Sequence, residues 1–275
     1  MRIGIGIRIG NSITGSVLDP ATSAFITATG ITDATIINAV NRLVLNYKGQ
    51  GNLNSSVDLW SVSNAIFPYV GGTATTNMYN LKDPRNLDAA FRLAFSGGWT
   101  HNSNGITGNG INTFANTFLK PNNLGQDSHR VLGYVRNDIG GSAFEAVISA
   151  TNAAFTNGLG FETRKSTNSH STYSNSGFNP VTNSNRTGLV GVNRTNSSNY
   201  KVFRNGSALY TVTNASQTPL NINLFVGAQN NNGSTINYST ANLAIIVCGD
   251  GLSDANALIE YNIIQQFQTD LGRNV

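Results

Sequence analysis

The chain has 275 residues, room for one large β domain with additions, and only 11% of them are charged, with a formal net charge of +4. Its basic residues are scattered, Arg164-Lys165 being the nearest to a cluster, and no basic helix or basic-aromatic platform accompanies them, which argues against nucleic acid as a partner. No apolar run reaches the roughly 18 residues that cross a bilayer, no secretory apolar segment opens the chain, and the lone Cys248 excludes an internal disulfide.

In chain order, residues 1–10 alternate Ile3, Ile5, Ile7 and Ile9 with Gly4, Gly6, Arg8 and Gly10, so a strand here carries one apolar face. It reads either as an edge strand of the chain's own sheet or as an arm added to the sheet of a neighbouring subunit or docking protein. The glycine spacing does not match a dinucleotide fingerprint. Residues 32–48 predict a helix with Ile36, Val40, Leu43, Val44 and Tyr47 on one stripe and Gly49 as its stop. A second short helix is expected over 55–60, and residues 65–70 read as the first strand of a sandwich. This divides the chain into an N-terminal arm for docking or oligomerisation, 1–60, and a sandwich, 61–275.

Further strands are expected where Phe91, Leu93 and Phe95 share a face and over 113–119, 131–136, 143–150, 159–165 and 188–193. Residues 99–112 and 166–184 read as the longest polar loops. Asn205-Gly206, between alternating runs at 200–204 and 207–213, is a strong hairpin signal because a type I′ turn needs positive φ at both central residues. Ile222, Leu224, Val226 and Ala228 recur with period two, and 243–247 is an apolar run suited to burial on both faces. Ser253 caps a final helix with Tyr261, Ile264, Phe267 and Leu271 on its stripe and Gly272 at its left-handed end.

Asn205-Gly206, Phe225-Val226-Gly227-Ala228 and Gly251-Leu252-Ser253-Asp254-Ala255, in this order of parts, resemble the end of a concanavalin A-like, laminin-G-type sandwich domain. That resemblance implies an antiparallel jelly-roll β-sandwich. Ala28-Thr29-Gly30-Ile31-Thr32-Asp33, Tyr69-Val70-Gly71-Gly72-Thr73-Ala74 and Gly97-Gly98-Trp99-Thr100-His101 are similar to segments of uncharacterised virion proteins from tailed phages of Bacteroidetes hosts. These motifs name a fold and a lineage but no chemistry.

A glycosidase needs two carboxylates about 5 to 9 Å apart across a cleft. The Glu-x-Asp-x-x-Glu strand pattern of the glucanases with this fold is absent: Glu145 and Glu162 are isolated on their strands, Asp83 and Asp88 belong to a loop, and Glu260 is on the final helix. His101, His129 and His170 show no metal spacing, and Asp127-Ser128-His129 are neighbours that a strand turns to alternating faces. The resemblance to laminin-G-type domains raises a calcium ion at a loop rim. Asp138, Asp250 and Asn230 to Asn232 offer oxygens, but carboxylates are too few, so no metal and no cofactor is expected.

Recognition through loops remains. Asn alone makes up 40 residues, and sugars are held by an aromatic face together with amides and hydroxyls. Three groups fit: Trp99 with His101, Asn102 and Asn104; Tyr173 with Asn175; and Asn230, Asn231, Asn232 with Tyr238. The expectation is a non-enzymatic, homo-oligomeric virion component, assembled in the host cytoplasm, that contacts host surface polysaccharide through several weak sites at once. The alternative is an architectural capsid-decoration or tail-assembly subunit that binds only other virion proteins.

Overall fold

A strand that is apolar throughout has to be covered on both sides, and Asn242–Gly249 is that strand. In the computed structural model, which describes residues 18–138, 144–164, 169–182 and 184–275, it runs through the centre of the first of two sheets. Leu243, Ile246 and Cys248 enter the core between the sheets, while Ala244, Ile245 and Val247 enter a second core under the helices. Burial pushes the Cys248 thiol up to about 12, as suits a small buried side chain.

The first sheet has eight strands, in the order Ser207–Thr213, Asn199–Arg204, Gly188–Arg194, His129–Val135, Asn242–Gly249, Gly105–Thr107 and Thr100–Asn102, with Ser63–Phe67 also paired to Asn242–Gly249. The second has nine: Asn179–Thr182, Ser169–Ser176, Gly158–Arg164, Glu145–Thr151, Phe225–Val226, Phe114–Asn116 and Ala94–Ser96, plus the hairpin Gln229–Asn231 with Ser234–Ile236. The antiparallel sandwich is as expected, with one parallel pair, Gln229–Asn231 beside Glu145–Thr151.

Three helices cover the outer face of the first sheet. Pro20–Thr29 begins with the Asp19 side chain accepting the Ala21 N–H and ends at Gly30 in the left-handed region. Ala34–Tyr47 begins at Asp33, which accepts from Thr35 and Ile36, and Asp254–Asp270 begins at Ser253, which accepts from Asn256. Phe25, Val40, Val44, Tyr47, Ile263, Ile264 and Phe267 fill the core beneath them against Tyr134, Leu189 and Ile245. Each such side chain contributes about 1.5–3 kcal/mol through burial. Arg130 and Glu260 cross this core as a bidentate pair at 2.8–3.1 Å, with the Tyr47 hydroxyl donating to the same carboxylate at 3.0 Å. Among the described residues no helix is long and apolar enough to cross a membrane.

Several expectations are corrected. Residues 55–60 form turns instead of a helix, because the Asn54 side chain accepts from Ser56 and Val57 and donates to the Asn46 and Val57 carbonyls, competing with helical bonds. The strand expected at 65–70 stops at Phe67, before Pro68 and before Tyr69 at φ 42°. Phe91 lies outside any strand and ends a 3-10 turn, so it shares no strand face with Leu93 and Phe95. The period-two run at 222–228 is right about burial, but its ladder shrinks to Phe225–Val226 because Gly227 turns away at φ 73°. Neither long loop is one: 99–112 holds the hairpin Thr100–Asn102 with Gly105–Thr107, and 166–184 holds Ser169–Ser176 and Asn179–Thr182. Ile3, Ile5, Ile7, Ile9 and Lys165 lie outside the described residues.

Candidate functional site

The loops at one end of the second sheet gather aromatic rings and amides. Ahead of Ala94–Ser96, the 3-10 turn Asp88–Ala90 is closed by Phe91 at φ 58°, whose N–H donates to the Asp88 carbonyl. After Phe114–Asn116, the Asn116 side chain accepts the Phe118 N–H at 3.0 Å and Phe118 turns to φ 54°. The approach to Phe225–Val226 passes alongside, its Leu220 carbonyl accepting the Asn122 N–H and its Leu224 carbonyl accepting from Thr117. Between these segments lies an open cleft of about 530 Å³ lined by Phe91, Phe118, Asn122, Asn123, Asn221 and Asn223.

The charged groups here are one ion pair and one lysine held by a neutral amide. Lys120 Nζ donates to Asn221 Oδ1 at 2.9 Å. Arg92 is bound to Asp88 at 2.8 Å, with its guanidinium 5.4 Å over the Phe118 ring. The amide strip continues to a second aromatic pair. Gln217 Nε2 donates to the Thr156 carbonyl and Asn157 Nδ2 to the Thr218 carbonyl, both at 2.9 Å, tying the strip to the turn that bears Phe155 at φ 58°. The Phe178 N–H donates to the Phe155 carbonyl, and both rings are exposed, Phe155 by 36% and Phe178 by 43%. Phe178 stands 6.1 Å from the rings of both Tyr173 and Phe144.

Left-handed backbone at a bulky residue is uncommon and costs about 1–3 kcal/mol, a strain that gathers at binding and catalytic sites. Among the described residues the phenylalanines in this state are Phe91, Phe118 and Phe155, and all three are on this rim.

The three groups singled out in the sequence are placed differently. Trp99 is half-buried, its indole N–H donating to the Phe114 carbonyl at 3.2 Å and its ring lying where a Cβ on Gly227 would stand. His101 rests edge-on against Phe95, 4.7 Å between centroids, with Nδ1 3.1 Å from Asn77 Nδ2. Burial lowers its pKa. Asn102 and Asn104 are exposed on the hairpin turn, Asn102 accepting the Asn104 N–H.

Tyr173 and Asn175 are buried. Asn230 is buried as well, but its Nδ2 donates to the Asn223 carbonyl at 2.8 Å and so supports the amide cleft from behind. Asn231 is half-buried and accepts from Thr151 at 3.4 Å. Asn232 is exposed at φ 51°, its N–H bound to the Thr151 carbonyl on the same rim, and Tyr238 is half-buried. Phe91, Phe118, Phe155 and Phe178 are distant in sequence; Asn157-Gly158 and Gly177 with Asn179-Pro180 mark turns beside two of them, but no local pattern brings the four rings to one rim.

The sheet face behind the rim is polar and closed. Glu162, 1% exposed, receives Asn237 Nδ2 at 3.0 Å and Ser149 Oγ at 3.4 Å, and burial pushes its pKa up to about 8. The Tyr173 hydroxyl lies near Ser171 and Gln229, which temper a burial-driven rise to about 12, although neither the Ser171 hydroxyl nor Gln229 Nε2 makes a well-aligned hydrogen bond.

His129 Nε2 is 2.7 Å from Ser174 Oγ, but both are fully buried between the sheets and burial drives His129 down to about 4, so the pair is an inter-sheet tie. Burial likewise takes His170 to about 4. Glu145 accepts from Thr240 N–H and hydroxyl at 2.6 and 2.7 Å, Asp83 from Arg85, and Asp138 from Arg186 at 2.7 Å. Among the described residues no three His, Cys, Asp or Glu side chains come together to hold a metal ion.

At the opposite end, where Arg136 donates to the Arg273 carbonyl, a cleft of about 590 Å³ is lined by residues 30–33, 35–36 and 70–72, Thr76, Ser103, Asp270, Leu271 and Arg273. Two carboxylates from distant segments enter it, Asp33, already capping its helix, and Asp270, which takes Arg42 at 3.1 Å and Gln266 at 2.8 Å through Oδ1. Asp270 Oδ2 is buried without a partner. Arg273 is spent on Gln268 and on the carbonyls of Pro68, Tyr69 and Ala244. Among the described residues no aromatic side chain lines this cleft.

The layers and strand order define a two-sheet β-sandwich with a helical cover. No family model matches the chain, and no curated protein matches it. Among solved structures, a mutant of Trypanosoma rangeli sialidase displaying trans-sialidase activity is 11% identical at a TM-score of 0.56, over 87% of this chain and 40% of that one. A mutant of NanB sialidase from Streptococcus pneumoniae is 15% identical at 0.43, over 59% and 27%. The CBM40 of Ruminococcus gnavus IT-sialidase bound to α2,3 sialyllactose is 15% identical at 0.37, over 49% and 82%. The chain thus spans well under half the length of the sialidases it matches, and the first likeness establishes a shared fold.

Proposed function

We propose that this chain is a non-enzymatic glycan-binding component of a phage particle, assembled in the host cytoplasm and displayed in several copies so that weak sites act together on host surface polysaccharide. The observation that carries the glycan reading is Phe91 and Phe118, both held in left-handed backbone and both lining one cleft that four asparagines share with Asp88, Ala89 and Lys120. Rings supply an apolar face for a sugar, and amides offer both a donor and an acceptor to its hydroxyls. The virion part rests on the sequence segments around Gly30, Gly71 and Trp99. Titration calorimetry with purified host polysaccharide tests the reading: binding that Phe118→Ala removes supports it, and no heat with any polysaccharide sinks it. Imaging of the whole particle with the chain labelled tests the virion part.

A second reading is favoured by the acidic cleft. Asp33 and Asp270 face a space large enough for a partner's side chains or a sugar, which fits an architectural subunit or a hydrolase. Both carboxylates already accept N–H donors of their own chain, the role of structural acceptors. Release of reducing sugar by the purified protein, abolished by Asp270→Asn, would establish the hydrolase instead.

A further inference from the structure

We infer that the rim takes one uncharged glycan chain, lying across both aromatic platforms with the amide strip between them. This rests on the glycan reading of the Phe91–Phe118 cleft and adds its ligand class and a second subsite at Phe155 and Phe178. The strip at 217–223 is bonded at one margin to the turn bearing Phe155, through Gln217 and Asn157, and at the other to the segment bearing Phe118, through Leu220 and Leu224. The two platforms are therefore fixed relative to each other by the strip. Both Phe155 and Phe178 are exposed, and Phe155 holds the same costly backbone as Phe91 and Phe118. Phe155 leaves 36% of its surface open to solvent, so part of the strained residue is available to a ligand.

The ligand class follows from the charges. Sugar carboxylates and sulfates are recognised by an open guanidinium fork. Arg92, which flanks the cleft, is closed on Asp88, and Lys120 is anchored on a neutral amide. Farther along, Asp127 accepts the Ser216 hydroxyl, adding a negative charge that repels an anion. Asn221 Oδ1 accepts from Lys120 and Asn122, and Asn123 Oδ1 accepts the Lys120 N–H, which leaves Asn122 Oδ1, Asn123 Nδ2, Asn221 Nδ2 and the Asn223 amide to read sugar hydroxyls.

The experiment is calorimetry of the full chain with uncharged hexose oligosaccharides from disaccharide to hexasaccharide, and with the same series bearing a terminal uronic or sialic acid, at low and high salt. Expected are affinity that rises at least tenfold from disaccharide to hexasaccharide, indifference to salt, and no gain from the acid. Phe155→Gly is expected to erase the gain with length and keep disaccharide binding, with the far-ultraviolet circular dichroism unchanged because glycine adopts this backbone without strain. Binding of the acidic series alone, weakening with salt, overturns the inference and leaves the glycan reading standing. Equal affinity at every length with Phe155→Gly silent also overturns it. If no saccharide binds, the inference and the reading beneath it fall together.

Discussion

The two ends of the sandwich hold clefts of similar size, about 590 and 530 Å³, built on opposite terms. At the acidic end the cleft wall turns through left-handed backbone at Gly30, Gly71 and Gly72, and the one bulky residue there with positive φ, Tyr69 at 42°, has its ring fully buried and does not line the cleft. At the rim the same backbone falls on Phe91, Phe118 and Phe155, and each costs about 1–3 kcal/mol. Volume does not separate these clefts. Strain spent on presenting a ring does, and it singles out the slightly smaller cleft.

Substitutions should either strike both ends alike or separate them. The largest effect belongs to the scaffold they share: Arg130→Met strands the Glu260 carboxylate in the helix-side core and should cost about 3–5 kcal/mol in urea unfolding. Next, Phe118→Ala should lower saccharide affinity at least tenfold, about 1.4 kcal/mol, with the far-ultraviolet circular dichroism unchanged.

A third effect is set by pH. Glu162 holds its proton in the folded state up to about 8 and releases it near its ordinary value when unfolded, so its contribution is full at low pH and lost as pH climbs to about 8. His129 and His170, lowered to about 4, act in the opposite sense between about 4 and their ordinary 6.5. Melting temperature should therefore fall from pH 6.5 to 8, Glu162→Gln should flatten that fall, and saccharide affinity should hold steady because amides and rings carry no proton to lose. The smallest effect is Asp33→Ala, which removes a helix cap for about 1 kcal/mol and leaves the rim's affinity intact, with Asp33→Asn restoring stability. A loss of saccharide binding in Asp33→Ala would erase the distinction between the ends.

Much of the scaffold was legible because single signals were sufficient. Asn205-Gly206 turns at φ 49° and 75°, Ser253 caps its helix, and the 243–247 run is buried on both faces. The helix Pro20–Thr29 carries the same kind of signal, Asp19-Pro20 at its start and Gly30 at its end. Ser169–Ser176 was hidden for a physical reason: it is polar throughout, and its burial is stabilised by partners on the other sheet. His129 bonds Ser174, Arg194 donates to the Ser174 carbonyl at 2.9 Å, and the Tyr200 hydroxyl meets Thr172 at 2.8 Å. The rim was hidden twice over, since its rings come from four separate turns and turn chemistry leads one to expect glycine or asparagine where Phe91, Phe118 and Phe155 stand. Abundant asparagine pointed to loops as the binding surface but not to which ones.

Hydrogen–deuterium exchange with and without a saturating uncharged hexasaccharide tests the central claim most directly. Protection concentrated at residues 88–91, 117–123, 152–157 and 216–223 is the predicted result. Protection at residues 30–36, 70–76 and 270–273 instead would place the sugar in the acidic cleft and contradict the account.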